Sequence, residues 1–410
     1  MLVQAGSATI AGRIAHEDDN YIFSYDRGIT DESAVSLTMP VSAQSYDYQG
    51  ELHPVFQMNL PEGDLRTRMI TMFRKALPNF NDLDMLRIMG QSQIGRLRYT
   101  DGTPADVMPT QSVEEILRYQ GTDDLMASLL ERFAQSSGVS GMQPKVLVKD
   151  SAPDRLTVQG ATHIVKTFDE TQFPELAANE FFCMMACKRA GLPVPEVALS
   201  DNGRFLVVDR FDITSDGTYL GVEDFCVLNA LGTAGKYDGS YEALAKRIKQ
   251  FVSEENRRDA LHTYFKSIAM SCAIRNGDAH LKNFAVLYNN ATSSVTLAPA
   301  FDMVTTRVYV KADTMALLLG GSKRFTNGKQ LISFAKIHCG MTETQVRETL
   351  EQVGQAVTET KADLLVYATE NPRFKNVGEA MMQSWDEGLT SSIRIDPPAA
   401  KKTKIAAPAP

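Results

Sequence analysis

The chain has 410 residues, room for two or three domains or one large two-lobed body. Its net charge of −8 argues against broad electrostatic binding of nucleic acid, which needs a basic face. With 43% hydrophobic and 22% charged residues the balance is that of a globular protein, and no apolar run is long enough to suggest a membrane span. Met1 to Gly6 lacks a cationic leader, so no signal peptide is expected and the location expected is cytoplasmic.

Residues 1 to about 60 read as short strands with turns, including a hairpin of Gly12–Ala15 and Tyr21–Asp26 around the acidic Glu17–Asn20 turn. Leu60-Pro61-Glu62-Gly63 breaks the chain, and helical pattern follows over 64–77 and 82–89. Strands return at Lys145–Val148 and Thr162–Lys166. A helix is expected from about Pro174, which suits a first turn, to Ala190, with Gly191 and Pro193 closing it. Arg204–Phe211 reads as another strand. From about Asp224 the pattern turns helical. Leu261, Phe265, Ile268 and Cys272 share one face of a buried helix, and Val346, Leu350, Val353 and Val357 mark another. Residues 396–410 are rich in Pro, Ala and Lys and are expected to be a disordered tail.

The five cysteines (Cys183, Cys187, Cys226, Cys272, Cys339) are odd in number and lack metal-ligand spacing. Cys183 and Cys187 lie one helical turn apart, a spacing open to metal binding or a redox pair, but buried small apolar residues in a reducing compartment are the simpler reading.

The densest chemistry follows the Leu261–Cys272 helix. Asn276-Gly277-Asp278-Ala279-His280-Leu281-Lys282-Asn283 packs a carboxylate, an amide and a cation into one loop, and Asp302 supplies a second carboxylate downstream. Asp278 is placed to accept a proton from an attacking hydroxyl. Asn283 and Asp302 suit Mg²⁺, which takes hard oxygen ligands. Lys282 would neutralise charge on a moving phosphoryl group. Kinases use this layout. His280 is read as a packing or hydrogen-bonding residue beside the nucleotide rather than as the base.

The phosphate-binding half is sought upstream. Residues 136–145, from Ser136, Ser137 and Ser140 through Gly141, Gln143 and Lys145, form a small-residue loop entering a strand. Glycines there let backbone N–H groups approach phosphate oxygens. The loop is not a Walker A motif, because no Gly-Lys-Ser/Thr opens a helix. Lys166 shares a strand face with Ile164 and Phe168, and a lysine among apolar residues needs an anion. Glu180 in the following helix is positioned to orient it. Backbone groups around Asp209 would meet an adenine edge, with Phe211 on its face.

Taken together, these segments resemble the HipA family of bacterial serine/threonine kinases, toxins of type II toxin–antitoxin systems, over about residues 8–390. Leu60–Gly63 looks like the Leu-Pro-Glu-Gly signature of the family's N-terminal subdomain, and Gly141–Lys145 like its Gly-x-Gln-x-Lys loop. Thr162–Lys166 looks like the strand of the ATP lysine, and Ala178-Asn179-Glu180 falls where the family has Asn-Glu. Asn276–Asn283 is similar to Asn-x-Asp-x-His-x-Lys-Asn, and Pro299–Asp302 to the metal-binding segment. The resemblance implies Asp278 as base, Asn283 and Asp302 as Mg²⁺ ligands and Lys166 on the phosphates of ATP. It also implies a HipB-like helix-turn-helix antitoxin as partner, contact with DNA only through that antitoxin, and an aminoacyl-tRNA synthetase as the kind of protein substrate. The family often carries a regulatory serine three residues before the loop glycine, where this chain has Gly138. Ser140, Ser137 or Ser136 would have to stand in for autophosphorylation, Ser140 first.

The fold expected is α+β and bilobal, protein-kinase-like, of HipA type. Residues 1–125 would form the N-terminal α+β subdomain, 126–212 the kinase N-lobe and 213–395 a largely helical C-lobe. The activity expected is an ATP- and Mg²⁺-dependent serine/threonine protein kinase. Its rivals are a non-catalytic co-repressor bound to its antitoxin and a small-molecule phosphotransferase.

Overall fold

The computed structural model describes residues 1–6, 9–73, 80–102, 108–121, 124–133, 137–140, 143–152 and 160–394. Ser136, Gly141 and the 396–410 tail lie outside the described residues. The fold is the mixed α+β, two-lobed one expected.

The N-terminal part is an antiparallel sheet of β1 (Leu2–Ala5), β2 (Ile10–Glu17), β3 (Asn20–Tyr25), β4 (Tyr46–Gln49) and β5 (Leu97–Thr100), in the order β4-β3-β2-β1-β5. The β2–β3 hairpin closes with Glu17 opposite Asn20, at the acidic turn read from the sequence. Helices Gly63–Phe73 and Asp82–Met89 follow. The second starts where it should because Asn81 and Asp84 form a reciprocal capping box. Residues 74–77, expected to extend the first helix, lie outside the described residues.

The second sheet runs β6-β7-β8-β10-β9, from β6 (Thr110–Gln111), β7 (Lys145–Asp150), β8 (His163–Lys166), β9 (Val197–Leu199) and β10 (Leu206–Asp209). One core spans both sheets. Val3, Phe23 and Tyr99 from the first, with Phe56 of the short helix Pro54–Gln57, meet Val146, Val148, Val165 and Val207 from the second, bridged by Leu129 and Phe133 of the Leu125–Phe133 helix.

The helix after β8 is Leu176–Arg189. Pro174 lies before its first turn rather than in it, because Glu175 turns left-handed at φ 58° to enter the helix. The C-lobe is not purely helical either. A three-stranded antiparallel sheet, β11 (Gly221–Asp224), β12 (Ala285–Tyr288) and β13 (Val295–Leu297), is set among its helices. These strands are too short for alternation to stand out from the helical pattern around them. They frame the Asn276–Asn283 loop, which leads into β12, and the segment to Asp302, which leaves β13.

Helix Glu254–Ile274 is the hub of this lobe. Every residue from Tyr264 to Ile274 is buried, so it is covered on all sides and not only along the Leu261–Cys272 face. Helices Tyr241–Phe251, Glu343–Glu370 and Lys375–Gly388 pack around it, and Val346, Leu350, Val353 and Val357 are buried as their spacing indicates. All five cysteines are free and buried. Among the described residues no helix is long and apolar enough to cross a membrane.

Two buried charge centres pin the parts together. Glu223 of β11 accepts from Ser36 Oγ and from the Leu37 amide (2.8 Å) in the N-terminal part, and from Tyr288 of β12. Asp212 pairs with Arg210 at 2.6 Å and accepts the Gly95 amide at 2.6 Å.

Candidate active site

The Glu254–Ile274 helix stops at Arg275, which adopts φ 57°. The loop that follows is wound on its own backbone. Asn276 Oδ1 accepts the Asp278 amide at 3.0 Å, and Asp278 O accepts both the His280 amide and Asn283 Nδ2 at 2.7 Å. Gly277 is required here, since a Cβ would run into the Asp313 carboxylate and the Thr314 carbonyl. This winding puts Asp278, His280, Lys282 and Asn283 on the wall of an interlobe cleft of about 1090 Å³.

From the other side β8 delivers Lys166, which is buried with its ammonium 2.6 Å from Glu180 and 2.6 Å from Asp302. Burial alone would lower Lys166, but the two carboxylates hold it above the usual lysine range. Burial would likewise raise Asp302, but Lys166 and then Lys145 hold it well below the usual range, fully ionised. Burial lifts Glu180 despite Lys166 beside it. Asp302 sits at φ 59°, a left-handed conformation that a non-glycine residue keeps only when its surroundings enforce it. Asn179 does so: it accepts the Thr305 amide at 2.9 Å and donates to the Thr305 carbonyl at 3.1 Å. Thr305 Oγ1 in turn accepts from the indole of Trp385, the chain's one tryptophan, at 2.7 Å.

Asp278 Oδ1 accepts from the Tyr237 hydroxyl at 2.8 Å. Burial is the main force pushing this carboxyl up to about 6, with Asp302 and Asp313 adding to it and Tyr237 and Lys236 opposing. Burial, helped by Lys236, lowers His280 to about 4, so its ring is neutral, and its Nδ1 is buried without a hydrogen-bond partner. That fits a residue beside a ligand rather than a base. Asn283 spends its Nδ2 on the loop, and its Oδ1 has no hydrogen bond among the described residues.

Gln143 and Lys145 line the same cleft. Gln143 Nε2 is buried without a partner, and Lys145 is buried with no hydrogen bond or ion pair among the described residues. Ser140 reaches Glu62 and Lys282, while Ser137 is fully buried, donating to the Phe133 carbonyl and accepting the Leu147 amide. Ser137 thus has no hydroxyl to offer a phosphate, leaving Ser140 as the accessible candidate among the described residues.

One expectation changes. Asp209 does not line the cleft: β10 sets it opposite His163, whose Nε2 lies 3.1 Å from its carboxylate, and its amide donates to Glu196 O. Phe211 does line the cleft, stacked on Phe301 at 5.4 Å. Lys282 lines the cleft as well and is tied to Glu62 at 2.8 Å.

Glu62 is the main residue that sequence reasoning missed as part of the site. It is bridged by Lys282 and by Lys236 at 3.0 Å. Burial would raise it, but Lys282, the Ser140 hydroxyl and Lys236 bring it to about 2. The Leu60–Gly63 segment was visible as a chain break; nothing local says that it reaches a loop more than two hundred residues away. Lys236 and Tyr237 were missed because their short 3₁₀ turn, Thr233–Tyr237, carries no periodicity.

The HipA-like C-terminal domain matches residues 137–361, more than half of the chain, and the HipA N-terminal domain matches residues 5–100. A Sinorhizobium fredii protein named as a candidate kinase, Y4dM, is 25% identical over 350 residues, covering 78% of this chain and 79% of the relative. A Haemophilus influenzae protein also named as a candidate kinase is 31% identical over 200 residues, 45% of this chain and 57% of that one. Among solved structures, a chain of the Shewanella oneidensis MR-1 complex of HipA, HipB and operator DNA superposes with a TM-score of 0.69 at 17% identity, covering 95% of this chain and 98% of that one. With both family domains matched in order, this chain belongs to the HipA family.

Proposed function

We propose that this chain is an ATP- and Mg²⁺-dependent serine/threonine protein kinase acting in the cytoplasm as the toxin of a type II toxin–antitoxin pair. The observation that carries the reading is a convergence in one cleft. A lysine held between two carboxylates shares the cleft with a carboxyl raised to about 6 and an asparagine whose side-chain oxygen has no hydrogen bond among the described residues. In a protein kinase those are the phosphate-binding, proton-accepting and metal-holding parts.

Each side chain has a task in that reading. Lys166, assisted by the Lys145 ammonium, which has no ion pair among the described residues, supplies positive charge for the triphosphate. Gln143 offers it a buried, unpartnered N–H. Asp278 takes the proton of the acceptor hydroxyl, and its raised carboxyl suits a base that works near neutral pH. Lys282 offers charge beside it, positioned by Glu62. Asn283 Oδ1 and the ionised Asp302 fit Mg²⁺, being hard oxygen donors on the same cleft. When bound, the ion neutralises charge on the phosphate oxygens. Phe211 and Phe301 offer a flat apolar wall for a base.

The acceptor proposed is a serine or threonine of a translation protein such as an aminoacyl-tRNA synthetase. The partner proposed is a HipB-like helix-turn-helix antitoxin, supported by the complex in which the Shewanella relative was solved. DNA would be reached only through it, in keeping with a net charge of −8. Quantitative phosphoproteomics of cells expressing the chain, against cells expressing Asp278→Ala, tests the activity. New phosphoserine or phosphothreonine is expected only with Asp278 intact; identical phosphoproteomes would rule the reading out.

A further inference from the structure

The proton-accepting oxygen of Asp278 is already occupied. Tyr237 donates to Oδ1 at 2.8 Å, and a hydroxyl donating to this carboxylate is the contact an acceptor makes before phosphoryl transfer. The phenol is held by neighbours that themselves belong to the cleft. The His280 ring meets it edge-on at 5.1 Å and 78°, and the Lys236 ammonium lies 5.5 Å from the ring centroid while bonded to Glu62.

The element that carries Tyr237, the Thr233–Tyr237 turn, has no buried residue to hold it, and Tyr237 itself is 42% exposed. Gly239 just beyond it adopts φ 105°, which glycine takes without strain. Displacing the turn therefore breaks a few polar contacts and no core packing, placing it among the low-stability parts of the fold.

Building on the kinase reading above, we propose that Tyr237 is an acceptor surrogate: its phenol occupies the base in the resting chain, and a substrate hydroxyl or water reaches Asp278 only by displacing it. The consequence is restraint of idle ATP hydrolysis. In that side reaction water gives its proton to Asp278 as its oxygen bonds to the γ-phosphorus. The bond from that phosphorus to the β-phosphate oxygen breaks, and ADP and phosphate leave.

The test is MgATP hydrolysis by the full chain, with MgATP affinity measured alongside by calorimetry. Tyr237→Phe keeps the ring and its packing but removes the donor. It is expected to hydrolyse MgATP on the order of ten- to a hundredfold faster than the parent, the scale of one hydrogen bond to a charged group, with unchanged affinity. Adding Asp278→Asn to Tyr237→Phe should abolish the gain, because the gain runs through the base. A merely structural role would give a loss, not a gain. Equal or slower hydrolysis by Tyr237→Phe, with both proteins binding MgATP, would overturn the surrogate role and leave the kinase reading intact. Absence of MgATP binding in both would remove the kinase reading and the surrogate with it.

Discussion

Asp278 and Asp302 are carboxylates of one cleft driven in opposite directions. Asp302 has Lys166 and Lys145 to hold it ionised, whereas Asp278 faces burial with two more carboxylates nearby. Separating two such groups lets one hold charge while the other exchanges a proton. Asp278→Asn should therefore keep the fold by circular dichroism and cut phosphoryl transfer by roughly 10²–10⁴-fold. The pH dependence follows from the same carboxyl. The base works deprotonated, so transfer should fall as pH drops through about 6. An acid limb near the ordinary aspartate range would show that Asp278 is not the titrating base. Asp302→Ala should weaken MgATP binding more than binding of ATP without metal, as measured by calorimetry. An equal loss in both would mark Asp302 as a partner of Lys166 only.

At the scale of elements, the cleft depends on segments that touch it from far away in the chain. The Gly/Ser loop is fastened to the Asn276–Asn283 loop through Ser140, Glu62 and Lys282. Glu62 is held below its ordinary value, so its pairing contributes stability above pH about 4.5 that is lost as pH falls toward about 2. Glu62→Gln should cost roughly 3 kcal/mol at pH 7 in urea titrations, the scale of its shift, with a deficit that narrows below pH about 4.5. A deficit independent of pH would mean that shape, not charge, sets the cost. Ser140 carries the other prediction at this scale. A phosphate there would add about −1.5 to −2 charges against Glu62 and disturb the contact that anchors the loop. Peptide mass spectrometry should find phosphate on Ser140 in protein made with Asp278 intact and none with Asp278→Ala. An unmodified Ser140 in the active protein would leave it as a small residue that docks the loop.

Over the whole molecule, buried charge joins the lobes and the N-terminal part in addition to the apolar core that the two sheets share. Arg210 and Asp212 have side-chain exposures of 0% and 1%, and Asp212 also caps the Gly95 amide. Removing one member of such a pair strands the other's charge in a buried site. Asp212→Ala should cost roughly 3–5 kcal/mol in equilibrium urea unfolding. A cost below about 1 kcal/mol would show that water or a shifted side chain replaces the partner.

What the sequence determined by itself was chemistry with a local signature. The Asp82–Met89 helix shows in its periodic pattern, the β2–β3 hairpin in its turn, and the Glu343–Glu370 helix in its buried stripe, because periodicity and turn chemistry act within one or two turns of chain. The Asn276–Asn283 loop was legible for the same reason, being a dense set of oxygen and nitrogen groups on one short segment. Resemblance to a known family then tied Lys166, Glu180 and Asp302 to it. Only the tertiary structure decided the rest. It turned Asp209 onto His163 and gave Lys282 to Glu62. It also set Asn179 to clamp the backbone beyond Asp302 and laid Tyr237 on Asp278. Each of these joins residues distant in sequence or depends on which way a strand end faces. Such pairings are set by packing of whole elements, and the composition of either partner segment carries no trace of them.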